Sequence, residues 1–204
     1  MLKIDVFTFN PFQENTYVLS DETKQCAIID PGCYENHEKL ELTRFLEKNE
    51  LIPATILLTH SHIDHVLGVA YLVNKYNLPL EMNEIDLQGL RAVPVYGQTW
   101  GINAEPSPEP TMLLNEGDTV TFGNTTLDVI FTPGHSPGSI CFYHKETQTL
   151  IAGDVLFQES IGRTDLPGAD HNTLIKSIKE KLFPLGDDIK VYPGHGPSTT
   201  IGHE

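Results

Sequence analysis

Four side chains able to bind a metal fall within six residues of this chain: His60, His62, Asp64 and His65, in the run Thr59-His60-Ser61-His62-Ile63-Asp64-His65. Imidazole nitrogens and carboxylate oxygens are the donors that borderline transition metals take. A catalytic ion must keep one position open for water, so its ligands have to converge from several elements. Three further segments offer them: His135 in Thr132-Pro133-Gly134-His135, Asp154 in Ile151-Ala152-Gly153-Asp154, and His195 in Tyr192-Pro193-Gly194-His195.

Each of the four segments follows a short apolar run that reads as a strand, at 54–58, 126–131, 149–152 and 189–192. Pro-Gly suits the two central positions of a type II turn, because proline presets its φ and glycine tolerates a positive one. Both Pro-Gly-His tripeptides are therefore expected to end a strand abruptly and aim an imidazole off its tip. With the tips on one edge of the fold, His60, His62, Asp64, His65, His135, Asp154 and His195 converge. Seven donors overfill one tetrahedral ion and suit two ions about 3.5–4 Å apart.

On these residues the chain resembles the metallo-β-lactamase superfamily, through His60-x-His62-x-Asp64-His65 and the distal His135, Asp154 and His195. Asp64-His65 resembles the dinuclear hydrolase branch more than the lactamases proper, and within it the short, single-domain glyoxalase II (hydroxyacylglutathione hydrolase) type. Asp30-Pro31-Gly32, Gly153-Asp154-Val155-Leu156-Phe157 and Gly162-Arg163-Thr164-Asp165-Leu166-Pro167-Gly168 support it, as does, less specifically, Gln98-Thr99-Trp100-Gly101. The similarity runs from about Asn15 to His195. It implies that His60, His62 and His135 bind one metal, that Asp64, His65 and His195 bind the other, and that Asp154 bridges them. The larger, two-domain glyoxalase II enzymes grip glutathione with an appended helical domain, whereas this sequence ends at Glu204, so the thiol carrier stays open.

A length of 204 residues suits one domain with a sizeable core, spanning 1–204. Thirteen Lys and Arg against 28 Asp and Glu give a formal charge of −15, with no basic cluster. Phosphate-backbone binding depends on such cations, so a nucleic-acid partner is not expected. No basic-then-apolar leader opens the sequence and no apolar run reaches the roughly 18 residues of a membrane span. Cys26, Cys33 and Cys141 are an odd number without CxxC spacing. A cytoplasmic protein away from the membrane is the expectation, and no protein partner is indicated.

Strands are expected at 2–9, 15–19 and 25–29, an amphipathic helix at 35–49, and a second helix at 66–76, starting after the histidine segment. A short helix is expected at 84–91. Residues 92–110, rich in Pro and Gly, read as a surface loop with Trp100 plugging the core, the alternative being a flap beside the cleft. Further strands are expected at 119–122, 125–131, 139–143 and 148–152, then a helix from Asp170 to about Leu182 with Leu174, Ile175, Ile178 and Leu182 inward. Two strand groups, each followed by helices, suggest an α/β fold of two packed sheets with helices outside. The four-layer αββα sandwich is what the resemblance implies.

His37, His144 and His203 read as ordinary surface or turn histidines, and His171 as a helix-start residue. Asp30 is a candidate partner holding a ligating histidine from behind, or else it stabilises its own turn. Arg163 is expected to pair with buried acids near the site, the alternative being a substrate carboxylate. Two divalent ions, zinc first with iron or manganese as alternatives, would activate a hydroxide held by Asp64 and Asp154 and polarise a carbonyl, without any Ser or Cys nucleophile. The expected activity is thioester hydrolysis, on a small 2-hydroxyacyl thioester such as S-D-lactoylglutathione. The rivals are an iron-dependent persulfide dioxygenase, a lactonase or phosphodiesterase of the same fold, and a noncatalytic metal-binding module.

Overall fold

Two six-stranded sheets pack face to face in a computed structural model that describes all 204 residues. The first sheet runs in the order β1 (Lys3–Phe9), β2 (Glu14–Ser20), β3 (Gln25–Ile29), β4 (Ile52–Leu57), β5 (Leu80–Met82), β6 (Met112–Leu113). The second contains β7 (Thr119–Phe122), β8 (Thr125–Phe131), β9 (Ile140–His144), β10 (Thr149–Gly153), β13 (Lys190–Pro193) and β14 (Thr199–Thr200), with β10 and β13 parallel neighbours. A hairpin of β11 (Leu156–Phe157) and β12 (Ser160–Ile161) stands apart from both.

The layering follows from strands buried on both faces, which read as near-continuous apolar runs rather than alternating ones. Val18, Cys26 and Ile28 point outward from the first sheet to Leu42 and Leu46 of α1 (Asn36–Lys48) and Leu72 of α3 (Val69–Tyr76). Their neighbours Tyr17, Leu19, Ala27 and Ile29 point inward, against Phe122, Leu127, Val129 and Phe142 of the second sheet. On its far face the second sheet packs Cys141, Leu150 and Val191 on Leu174, Ile178 and Leu182, from α5 (His171–Ser177) and the turns after it. Three apolar layers therefore separate four structural ones, and the expected α/β, αββα sandwich is the fold observed.

Several expectations need correction. The helix expected at 66–76 is broken in two. Its first piece, α2 (Ile63–Val66), starts inside the histidine segment, and the break comes where the Gly68 N–H leaves for the Pro31 carbonyl at 2.7 Å. The helix expected to stop at Arg91 is α4 (Leu87–Gly97), which runs through Pro94. A proline inside a helix costs roughly 3 kcal/mol, and burial of Leu90, Val93 and Gly97 against the first sheet's outer layer offsets it. Trp100 does not plug the core but stands 60% exposed on the wall of the cleft, and residues 92–97, expected in the loop, belong to α4. Beyond Ser177 the α5 ladder widens into one stretch of i→i+5 bonding at Ile178–Leu182, and Ile175 is only half-buried.

Candidate metal centre

All four metal-competent segments leave the carboxyl ends of their strands on the same edge, where ligands of open α/β sheets bind. β4 delivers the histidine segment, β8 the His135 turn, β10 Asp154 and β13 His195. Backbone bonds stitch the edge together, from Ile140 N to Thr59 O at 2.9 Å and from Asn15 N to Gly194 O at 2.7 Å. The two Pro-Gly-His turns are not alike. Gly134 has the expected positive φ, 137°, but Gly194 does not. Glycine is needed at 194 for space, because an added Cβ would overlap Asp154 Oδ1 and lie 2.7 Å from His65 Cε1.

The seven predicted side chains come together. One group is His60, His62 and His135, and another is Asp64, His65 and His195; within each, one donor atom per residue lies within 4.8 Å of the others. Asp154 lies between them, with Oδ1 3.5 Å from His65 Nε2 and Oδ2 3.4 Å from His135 Nε2 and 3.6 Å from His195 Nε2. Asp64 Oδ2 is 3.1 Å from His195 Nε2.

The far nitrogens of these rings are held from behind. His65 Nδ1 meets Asp30 Oδ2 at 3.0 Å, His135 Nδ1 the Arg163 carbonyl at 2.8 Å, and His195 Nδ1 the Gln13 carbonyl at 3.2 Å. A carbonyl or carboxylate there takes an N–H, leaving the lone pair on Nε2. Asp30 also accepts from Thr59 N and Thr59 Oγ1, at 2.7 and 2.5 Å, so its carboxylate stands directly behind the His65 ring. The side chain of Arg163 pairs with exposed Asp165, at 2.7 and 2.8 Å, and not with buried acids. What this residue gives the site is its carbonyl.

Charge divides along the same line. Burial, reinforced by neighbouring imidazoles, pushes His60 well below the usual histidine range and His62 down to about 4. Burial would also lower His65, yet Asp64 and Asp154 outweigh it and raise the ring. Burial is likewise outweighed at His195, by the Asp64 hydrogen bond first, and its pKa is raised. It would raise Asp154, but His65 and the other rings bring this carboxyl down.

The donor set passes a direct test of fit to metal. His60 Nε2, His65 Nε2, His135 Nε2 and Asp154 Oδ1 are buried with no hydrogen-bond partner. Buried polar atoms are nearly always paired, and four orphans in one cluster, each an imidazole nitrogen or carboxylate oxygen, match coordination to a cation. The remaining histidines stand apart: His37 is exposed, His144 bonds Thr147, His171 begins α5 and His203 meets Glu159.

Sequence reasoning missed Asp86, which bonds both histidine-bearing loops, and Glu14, fully buried 4.0 Å from His65 Nδ1 and raised well above the usual carboxyl range by burial. Of the aromatic rim, Trp100 fell in the segment read alternatively as a flap, whereas Phe12 and Phe157 were missed. Phe12 and Trp100 meet edge to face at 5.9 Å, and Phe157 stands over His195 at 6.3 Å. These rings, with Ile85, Ile161 and Leu166, line a cleft of about 910 Å³ that opens from the donor cluster, and Arg163 is the one Lys or Arg on its wall.

A family model described as the metallo-beta-lactamase superfamily matches residues 9–195. A hydroxyacylglutathione hydrolase, GloC, of Haemophilus influenzae is 37% identical over 100% of this chain and 95% of its own. Among solved structures, the BLEG-1 B3 metallo-beta-lactamase superposes with a TM-score of 0.91 at 37% identity, covering 99% of this chain and 96% of that one. TTHA1623, in a di-iron-bound form, gives 0.88 at 40% identity, covering 98% and 96%.

Proposed function

The chain belongs to the metallo-beta-lactamase superfamily, and from that premise we propose that it is a metal-dependent hydrolase of 2-hydroxyacyl thioesters such as S-D-lactoylglutathione. His60, His62 and His135 would hold one divalent ion, Asp64, His65 and His195 a second, and Asp154 would join them. The observation that carries the metal reading is the set of orphaned, buried donors facing one another at the cleft floor. Zinc leads on the nitrogen-rich donor set, and the di-iron form of TTHA1623 keeps iron in view.

When bound, such ions lower the pKa of a water from about 15.7 toward about 7 and polarise a carbonyl oxygen. The protein's part is to keep every donor aimed. Asp30 and the carbonyls of Gln13 and Arg163 fix the ring tautomers from outside. Asp64 and Asp154 bring two negative charges to the floor, where they would hold cations and could accept a hydrogen bond from a water. Tyr96, pushed to about 12 mainly by burial, stays a neutral phenol on the cleft wall at neutral pH.

A thioester is favoured over an amide on leaving-group grounds. A thiolate departs unprotonated at neutral pH, whereas an amine must be protonated as it leaves, which calls for a general acid. The histidines on this floor are the proposed ligands, leaving none free for that task. GloC carries a thioester hydrolase's name, while BLEG-1 carries a lactamase's, so a β-lactam belongs in the test. Thiol release from S-D-lactoylglutathione is measured under nitrogen, before and after chelation, beside hydrolysis of a β-lactam and oxygen uptake with glutathione persulfide. Chelator-sensitive thiol release without oxygen supports the proposal. Rapid persulfide-dependent oxygen uptake, or lactam turnover, with negligible thiol release overturns it.

A further inference from the structure

Two buried carboxylates, Asp30 and Asp86, brace the histidine segment at different residues. Asp30, at the end of β3, serves Thr59 and His65. Asp86, just before α4 and 3% exposed, serves a different pair of loops. Its Oδ2 accepts from Ser61 N at 2.9 Å, its Oδ1 accepts from Gly138 N at 2.7 Å, and Ser136 Oγ lies 2.7 Å from both oxygens. Ser61 stands between His60 and His62, and Ser136 follows His135. One carboxylate thus ties the segment leaving the first sheet to the turn leaving the second. The fit is tight, since a Cβ on Gly138 would come 2.6 Å from Asp86 Oδ1 and 2.7 Å from Asp86 N.

We infer that Asp86 is the positioning residue of the three-histidine half of the centre. It touches none of the rings and acts through the backbone on either side of them, setting the separation of the His60–His62 segment from His135. Ring nitrogens must sit within a few tenths of an ångström of the coordination distance, and groups that orient ligands are typically worth 10–100-fold in metal affinity. Asparagine in place of Asp86 keeps the volume but leaves one oxygen for two backbone N–H donors, so one loop is released. The inference rests on His60, His62 and His135 being metal ligands.

The test measures Co(II) affinity by competition with a chromophoric chelator in two backgrounds. In His195→Ala the three-histidine half is the complete one, and in His62→Ala the other half is. Asp86→Asn is expected to weaken Co(II) by about 10–100-fold in the first background and to leave the second unchanged. Ser136→Ala, which removes the hydroxyl and spares both backbone bonds, is expected to give a smaller loss confined to the same half. It serves as the reporter if Asp86→Asn does not fold. Unchanged affinity in the His195→Ala background, or equal weakening in both with a matching fall in the metal-free Tm, overturns the inference. A wild-type chain that binds no Co(II) overturns the metal reading itself.

Discussion

The two halves of the donor cluster are built on opposite electrostatic plans. His60, His62 and His135 form a set of imidazoles alone, in which burial drives His60 and His62 toward the neutral form. Asp64, His65 and His195 include a carboxylate of their own, and the carboxylates around them hold protons on both rings in spite of burial. His60 and His62 therefore offer free lone pairs at neutral pH. The second half must exchange protons for metal. Similar donors in one cleft thus differ in what an arriving ion has to displace, and the difference comes from where the acids sit.

Asp154 is the side chain common to both plans, so removing it should have the largest effect. Asp154→Ala is expected to lose metal from both halves and to bring thioester turnover down to that of chelated enzyme, read by elemental analysis and thiol release. Retention of metal and turnover would take Asp154 out of the site. Next in size, His62→Ala and His195→Ala should each reduce the content from about two ions to about one, with the lost ion coming from opposite halves. Equal loss of both ions in either variant would erase the distinction.

Proton release sharpens the contrast further. A raised ring pKa means that metal competes with a proton, so affinity for the Asp64, His65 and His195 half should rise as pH climbs toward that pKa. The opposite half should depend on pH less steeply across the neutral range, because burial holds His60 well below the usual histidine range and His62 at about 4, so those two rings have no proton to give up. Calorimetry in buffers of different ionisation enthalpy should find more proton release accompanying the ion of the Asp64, His65 and His195 half than the other. Equal release for both would contradict the charge assignment. Smaller again, Asp30→Asn should weaken the second half by about 10–100-fold through His65, measured by chelator competition. Trp100→Ala, on the exposed rim, should raise KM for the thioester while leaving kcat nearly unchanged, with His37→Ala silent.

Legibility in the sequence followed how local each signal was. The histidine segment, the Pro-Gly-His tripeptides and Gly153-Asp154 carry their chemistry in adjacent residues, and within β3 the run Cys26-Ala27-Ile28-Ile29 announces burial by continuous apolarity. Asp30 was readable because it ends a strand in Asp-Pro-Gly. Asp86 was not, because a lone aspartate before an ordinary helix becomes a bridge only when Ser61, Ser136 and Gly138 arrive from elsewhere. The Gln13 and Arg163 carbonyls are backbone groups that every residue possesses. β5 and β6, three and two residues long, are too short to show a period. Pro94 misled because helix propensity is a local preference, and the burial that overrides it is tertiary.

The central claim, that seven donors form one two-ion centre, is tested most directly by metal stoichiometry. Metal-free protein reconstituted with excess zinc, iron(II) or manganese, freed of unbound ions and assayed by elemental analysis should hold close to two ions per chain, as a site with a bridging carboxylate requires. A value that stays near one with every metal offered would contradict the account.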